Sequence, residues 1–233
     1  MFVENDRVLI ILAHPDDEVL GCGGLIAKYA ENIHFKVLII GEGSSPRFRQ
    51  NQDEQIQNAI SQRTEFMKDA MNILKVNDYE LNHIKCGCFS TSPILEINQI
   101  IEKSIMDFSP NYLITHFSHD NNNDHRIVSR SVDMAARPKE GSKIKGVLHC
   151  EIQSSTDWTF GEIQFLPNIF ISISESNLRK KLQAMACYKT EFDNQVASRS
   201  ESGLETLAKY RGLQSGFTFA EAYRLHRLNV STL

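Results

Sequence analysis

The amino-acid sequence predicts an α/β fold, arranged as a three-layer α/β/α sandwich around a mostly parallel sheet. Short, continuous apolar runs rich in β-branched residues recur along the chain, separated by longer stretches with helical apolar spacing. Such runs are typical of strands covered on both faces. Their alternation with helices over short connections implies right-handed βαβ crossovers. Because the sequence contains no internal repeat, low-complexity segment or linker, we expect one domain over residues 1–233.

The first half of the chain contains three predicted strands and two predicted helices. The apolar runs RVLIIL and KVLII predict the first two strands, and a Gly/Ser/Pro-rich loop follows the second. The predicted elements are a strand at 7–12, a helix at 19–32, a strand at 36–40, a loop at 41–52, a helix that ends near 75 and a strand at 81–86.

The second half continues the alternation and ends in a more polar tail. Pro93 suits the first turn of a helix, and Ser174 is a favourable helix N-cap. From about residue 195 we expect a C-terminal extension that packs on the core as helices and loops. The predicted elements before it are a helix at 93–108, a strand at 112–115, a polar loop at 116–124, a helix at 125–137, strands at 146–152 and 168–173, and a helix after Ser174.

The composition indicates a soluble globular protein and favours no macromolecular partner. The 25 Lys and Arg residues against 29 Asp and Glu give a net charge of −4, and there is no basic run to bind nucleic acid. No apolar run reaches the ~18 residues of a membrane span, and the N-terminus lacks the pattern of a signal peptide. We therefore expect a cytoplasmic protein. Its five scattered cysteines are expected to be ordinary thiols, with Cys86 and Cys88 too close together for a zinc ribbon.

Two polar clusters directly follow predicted parallel strands. The first is HPDDE at 14–18, and the second is HFSHDNNNDH at 116–125. Ligands of open α/β sheets bind beyond the carboxyl ends of the strands, so the two clusters are expected to converge. His14 and Asp17, three residues apart in a turn that Pro15 stiffens, can face one ion. His125, where the second loop gives way to a helix, can supply the third ligand.

A metal site is the favoured interpretation of these clusters, although each one has a simpler explanation. Residues 16–18 could be an acidic helix N-terminus that complements the helix dipole. The Asp and Asn residues of 120–123 could serve only as turn formers. However, two His and one Asp with water as the fourth ligand is the catalytic form of a zinc site, whereas a structural site is usually closed and often Cys-rich.

The sequence AHPDDEVLGCGG, with THFSHDNNNDHR about a hundred residues later, resembles the PIG-L/LmbE-like N-acetylglucosaminyl deacetylases. The resemblance implies a Rossmann-like fold and a divalent metal, usually Zn²⁺, held by His14, Asp17 and His125. It also implies that Asp16 is the general base and that Arg47 lies near polar or phosphate groups of the substrate. Fe²⁺ and Co²⁺ are alternatives, since such a site accepts several divalent ions.

One position departs from the pattern of the resembled family. Some members have a His three residues before the last ligand, where this chain has Asn122. Asn122 can donate a hydrogen bond to an oxyanion but cannot act as an acid, and His119 and Asp120 are the nearest replacements. Asp124, in the same loop, is a further candidate for substrate binding or for orienting a ligand.

The resemblance implies hydrolysis of an N-acetylated amino sugar or its conjugate to acetate and a free amine. Water bound to Zn²⁺ has a pKa near ~7, so a hydroxide-like nucleophile is available at neutral pH, with Asp16 accepting its proton. The substrate is expected to be a small soluble molecule such as a sugar nucleotide, a glycoside or a thiol precursor. A homo-oligomer is possible.

Three alternative functions compete with hydrolysis of an acetamide. The first is a metal-binding relative of this fold without catalytic activity. The second is a nucleotide-binding protein, suggested by the glycines of residues 21–24, although their spacing does not fit G-x-G-x-x-G. The third, a serine or cysteine hydrolase, is weaker because the sequence has no G-x-S-x-G motif.

Overall fold

A seven-stranded mixed sheet with helices on both faces forms the protein. The computed structural model describes residues 1–48, 52–192 and 197–230. The strands are β1 (Arg7–Leu12), β2 (His34–Gly41), β3 (Asp78–Ile84), β4 (Tyr112–His116), β5 (Gly146–Cys150), β6 (Ile169–Ile173) and β7 (Phe219–Leu228). The helices are α1 (Asp17–Tyr29), α2 (Asp53–Leu74), α3 (Ile94–Phe108), α4 (Asn123–Ala135), α5 (Glu175–Cys187) and α6 (Glu201–Ser215).

The strand order is β3-β2-β1-β4-β5-β7-β6, and the first five strands of this order pair in parallel. β7 pairs antiparallel with both β5 and β6. The sheet is therefore mostly parallel, and the predicted α/β fold is confirmed. The interpretation of the chain as a single domain stays a prediction.

The apolar runs of the sequence become strands buried on both faces. In β1, Val8 and Ile10 belong to the core that α1, α2 and α5 cover, whereas Leu9 and Ile11 belong to the core under α3 and α4. All four of these side chains are fully buried. Alternate residues of one strand thus fill two separate cores, which is the physical basis of the three layers.

The C-terminal part of the chain differs from the prediction of helices and loops. It contains α6, but residues 219–228 form β7, which lies inside the sheet between β5 and β6. Its sequence, FAEAYRLHRL, lacks the apolar run typical of a strand buried on both faces. Glu221 is buried there because Lys181 of α5 pairs with it at 2.7 Å. A buried ion pair therefore stabilises this strand inside the sheet, where the sequence has no apolar run that would predict a strand.

The buried pair of Lys181 and Glu221 also explains why glycines stand at positions 23 and 24 of α1. Glu221 accepts the backbone N–H groups of Gly24 and Leu25 at 2.8 and 2.7 Å. A Cβ atom on Gly24 would lie 2.9 Å from the Glu221 carboxyl carbon, and one on Gly23 would lie 2.9 Å from Lys181. The glycines permit close packing of α1, and this packing positions the loop before α1. Among the described residues, no helix is long and apolar enough to cross a bilayer.

Candidate metal centre

The two polar clusters meet at the carboxyl edge of the sheet. β1 and β4 are parallel neighbours, so the loop that follows β1 and the loop that follows β4 leave the sheet side by side. His14 and Asp17 come from the first loop and the start of α1, and His125 comes from the first turn of α4. All three side chains are buried, with 7% of His14 and 1% of each of the other two exposed.

The donor atoms of these three residues lie close together. The ligand-competent atoms of His14, Asp17 and His125 are all within 4.8 Å of one another. Asp17 Oδ2 lies 3.5 Å from His14 Nδ1 and 3.4 Å from His125 Nε2. Ligand bonds of about 2.0–2.1 Å around a tetrahedral zinc ion place neighbouring donor atoms about 3.3 Å apart. The spacing of the donor atoms therefore suits such an ion.

Two further carboxylates set the orientation of the imidazole rings. Asp120 Oδ1 lies 3.1 Å from His125 Nδ1, and Asp124 Oδ2 lies 3.1 Å from His14 Nε2. Burial opposes ionisation of both carboxyls, but hydrogen bonds from these imidazoles lower the pKa of each below its ordinary value. An ionised carboxylate only accepts, so the facing ring nitrogens donate. The other nitrogen of each ring faces Asp17 Oδ2, so a metal ion bound there would take the place of a proton.

Asp120 is held in turn by the loop that follows β5. Ser155 Oγ donates to Asp120 Oδ1, and Thr156 Oγ1 donates to Asp120 Oδ2. The backbone N–H of Asn122 adds a third bond to Asp120, at 2.8 Å. Sequence reasoning missed Ser155 and Thr156, because two hydroxyls in a polar stretch give no signal of a partner 35 and 36 positions away.

His116 completes the surroundings of Asp17 but is unsuited to be a ligand. Its ring stacks on that of His125, with 3.8 Å between the ring centroids and 8° between the planes. Although its Nε2 lies 3.5 Å from Asp17 Oδ2, that nitrogen accepts the backbone N–H of Ala13 at 2.8 Å. His116 therefore supports His125 and the chain before His14.

Asp16 lies beside the three candidate ligands in an unusual backbone conformation. Its φ angle is +120°, which is rare outside glycine and costs of the order of 1–3 kcal/mol. Arg63 Nη2 and Arg199 Nη1 lie 3.0 and 3.1 Å from Asp16 Oδ2. Burial raises the pKa of Asp16 to about 6, even though both guanidinium groups lower it. Two arginines thus fix a carboxylate that titrates closer to neutral pH than usual.

Glu191 links Asp16 to the predicted substrate residue Arg47. Glu191 pairs with Arg63 and Arg47, and its Oε2 lies 3.3 Å from Arg199 Nη1. Burial would raise the pKa of Glu191, but bonds to Arg47 and the charge of Arg63 lower it to about 2. Arg47 is 46% exposed and is therefore in contact with solvent at the edge of this cluster.

Two further predicted residues, Asn122 and His119, form their side-chain hydrogen bonds with near neighbours in the sequence. Asn122 is the N-cap of α4, and its side-chain oxygen accepts the N–H of Asp124 at 2.9 Å. His119 is exposed, and its Nδ1 lies 3.0 Å from Ser118 Oγ. Their predicted roles toward an oxyanion or a leaving amine remain predictions.

Cys86 has surroundings that the sequence did not indicate. It follows β3 and is half-buried beside His14. Its thiol sulfur lies within 4.8 Å of ligand-competent atoms of His14 and Asp124, in a second group that could hold a metal ion. A hydrogen bond with Cys86 contributes to raising the pKa of His14, against the effect of burial. The prediction of an ordinary thiol at a buried strand end missed this contact.

The donor set fits a catalytic zinc ion. Two imidazoles and one carboxylate are ordinary zinc ligands, and three protein ligands leave a position for water or substrate. Each imidazole is supported by a carboxylate, as metal-bound histidines usually are. Burial alone would raise the pKa of Asp17, but the imidazoles of His125 and His116 hold it well below its ordinary value. Asp17 is thus kept ionised.

Comparison with known proteins gives one family match and one similar bacterial protein. The family model described as PIG-L, GlcNAc-PI de-N-acetylase, matches residues 9–136, which include every candidate ligand. The chain is also 26% identical over 193 residues to the uncharacterized deacetylase YaiS of Escherichia coli K12. That alignment covers 78% of this chain and 90% of YaiS.

Solved structures with the same fold include enzymes of different activities. N,N'-diacetylchitobiose deacetylase from Pyrococcus horikoshii has a TM-score of 0.75 at 17% identity, covering 94% of this chain and 83% of that one. GalB, the 4-carboxy-2-hydroxymuconate hydratase of Pseudomonas putida KT2440, has a TM-score of 0.77 at 21% identity, covering 98% and 99%. At these identities the likeness shows the fold alone.

Proposed function

Since the chain belongs to the PIG-L family, we propose that it is a zinc-dependent hydrolase that removes the acetyl group from an N-acetylated amino sugar or its conjugate. The observation that carries the proposal is the convergence of His14, Asp17 and His125 next to a buried, arginine-held Asp16. The products are acetate and a free amine. Fe²⁺ or Co²⁺ in place of zinc would suit the same donor set.

In this proposal His14 Nδ1, Asp17 Oδ2 and His125 Nε2 hold the metal. When bound, the ion supplies a positive charge that polarises the acetamide carbonyl and lowers the pKa of water. Asp120 and Asp124 keep the two imidazoles in the required tautomer.

Asp16 is the proposed general base, which accepts a proton from the attacking water and returns it to the departing amine. A base with a pKa near the working pH is effective in both directions, and burial raises the pKa of Asp16 to about 6. Arg63 and Arg199 hold its Oδ2, so the carboxylate cannot rotate freely. The positive φ of Asp16 is consistent with a residue placed for function at the expense of local stability.

The remainder of the substrate is proposed to bind in a cavity of about 380 Å³ beside the loop that follows β5. Thr156 lines this cavity and also donates to Asp120, which contacts the candidate ligand His125. The rings of Phe160 and Tyr210 line the cavity as well, and they suit packing against a sugar ring or an apolar group.

The test is acetate release from a panel of N-acetylated sugars and sugar conjugates, with zinc-loaded protein and a chelated control. We expect release from at least one substrate and its loss on chelation. Asp16→Asn should retain zinc while turnover falls by about 10²–10⁴-fold, the usual contribution of a general base. Loss of zinc in Asp16→Asn would make Asp16 a ligand, and chelator-resistant release would contradict metal dependence. Metal retention without release from any substrate would favour a non-catalytic relative.

A further inference from the structure

His14 presents its two ring nitrogens to two different groups of potential metal ligands. Its Nδ1 lies 3.5 Å from Asp17 Oδ2, in the trio already described. Its Nε2 lies 3.1 Å from Asp124 Oδ2, and the ligand atoms of His14, Asp124 and Cys86 are within 4.8 Å of one another. The proposed hydrolase uses only the first group, which leaves the thiol of Cys86 without a role.

The backbone around Cys86 is fixed by hydrogen bonds that it donates to two carboxylate side chains. The Cys86 N–H donates to Glu42 Oε1 at 2.9 Å, and the Gly87 N–H donates to Asp124 Oδ2 at 2.6 Å. Gly87 has a φ of +73°, a conformation that favours glycine. The thiol is therefore held beside His14 and Asp124 rather than placed on a freely moving loop.

We propose that Cys86, Asp124 and His14 Nε2 form a second site for a thiophilic divalent ion such as Zn²⁺, and that its occupation inhibits the enzyme. The proposal rests on the proposed function for the first site. A thiolate, a carboxylate and a histidine ring nitrogen are suitable zinc ligands. Cys86 is only half-buried, so one ligand of this second site is in contact with solvent.

Binding of an ion at the second site removes the hydrogen bond between His14 and Asp124, which orients His14 in the first site. When the second ion binds, the Cys86 thiol proton and the His14 Nε2 proton pass to solvent, and Asp124 binds the ion instead of accepting from His14. Because His14 Nδ1 belongs to the first site, the ring would then be a negatively charged imidazolate shared by the two sites. Loss of such a supporting hydrogen bond typically costs 10–100-fold in activity or metal affinity. We therefore expect activity to fall as excess zinc fills the second site.

Titration of the metal-free, reduced protein with Co²⁺ tests the site without measuring activity. The first equivalent should give visible d–d absorption, and the second should add a near-ultraviolet thiolate-to-cobalt charge-transfer band. Cys86→Ser should lose only the second band. Cys88→Ser is the matched control, because Cys88 is also half-buried two residues away but lies outside both ligand groups. It should keep both bands.

Acetate release at increasing zinc concentration gives the second measurement. The wild type and Cys88→Ser should be inhibited by excess zinc, whereas Cys86→Ser should remain active. A wild type with d–d absorption but no charge-transfer band would overturn the second site, as would a band that survives in Cys86→Ser. Equal inhibition of all three proteins would overturn the assignment of inhibition to Cys86. Failure of the first equivalent to bind would instead contradict the proposed function.

Discussion

Asp120→Asn should weaken zinc binding by about 10–100-fold, or roughly 1.4–2.7 kcal/mol, the usual cost of losing a ligand's supporting partner. The amide keeps the shape of the carboxylate, and its oxygen can still accept from His125 Nδ1, 3.1 Å away in the native protein. The hydroxyl of Thr156, which donates to the other carboxylate oxygen, can rotate to accept from the new NH₂ group. What is lost is the negative charge, so a charge-assisted bond becomes a neutral one of about half the strength.

Competition with a chromophoric chelator measures this change in affinity, and thermal unfolding of the metal-free proteins reports any general damage. Asp157→Asn is the matched control on the loop after β5, because exposed Asp157 accepts the Ser155 N–H at 2.9 Å without contacting His125. It should bind zinc like the wild type. An unchanged zinc affinity in Asp120→Asn, or an equal loss in Asp157→Asn, would refute the proposed role of Asp120.

Three further predictions concern the base and the packing around it. Arg63→Met removes the buried cation that pairs with both Asp16 and Glu191 and should lower the free energy of unfolding in urea by about 3–5 kcal/mol. Arg47→Ala, at a 46% exposed side chain, should lower it by about 1 kcal/mol or less, and similar losses in the two variants would contradict the arrangement. Activity needs ionised Asp16, so kcat/KM should fall as the pH drops through the apparent pKa of this carboxyl. That pKa should lie above the ordinary 3.8 and at most at about 6, since a bound cation lowers the pKa of Asp16. A pH–rate profile with no acidic limb in that range argues against Asp16 as the base. Gly24→Ala forces a contact of 2.9 Å with the Glu221 carboxyl carbon and should lower the free energy of unfolding by about 1–3 kcal/mol. Gly161→Ala is the control: a Cβ atom there meets nothing within 4 Å, and the free energy of unfolding should change by no more than about 0.5 kcal/mol. Equal melting temperatures of the two variants would disprove the packing argument.

The parallel part of the fold is predictable from the sequence because its signal is local. β1 and β2 each contain a continuous apolar run, and the burial of these runs on both faces follows directly from that pattern. β7 lacks such a run, because Glu221 inside it is stabilised by Lys181 of α5. That pairing joins residues 40 positions apart and appears only once the chain has folded.

The same distinction applies to the candidate site. His14 and Asp17 share one short motif, and His125 follows a second strand end, so sequence reasoning could bring the three together. Arg199 could not be anticipated, since it reaches Asp16 from 183 positions away. Cys86 looked like an ordinary thiol for a related reason: its contact with His14 depends on the register between β2 and β3, which the sequence does not state.

X-ray absorption spectroscopy of the protein loaded with one equivalent of zinc tests the central claim most directly. We expect a first coordination shell of nitrogen and oxygen only, with two imidazoles from His14 and His125 and a carboxylate oxygen from Asp17. His125→Ala should reduce the imidazole count to one. A sulfur ligand at one equivalent, or two imidazoles remaining in His125→Ala, would contradict the assignment of the catalytic metal centre to these three residues.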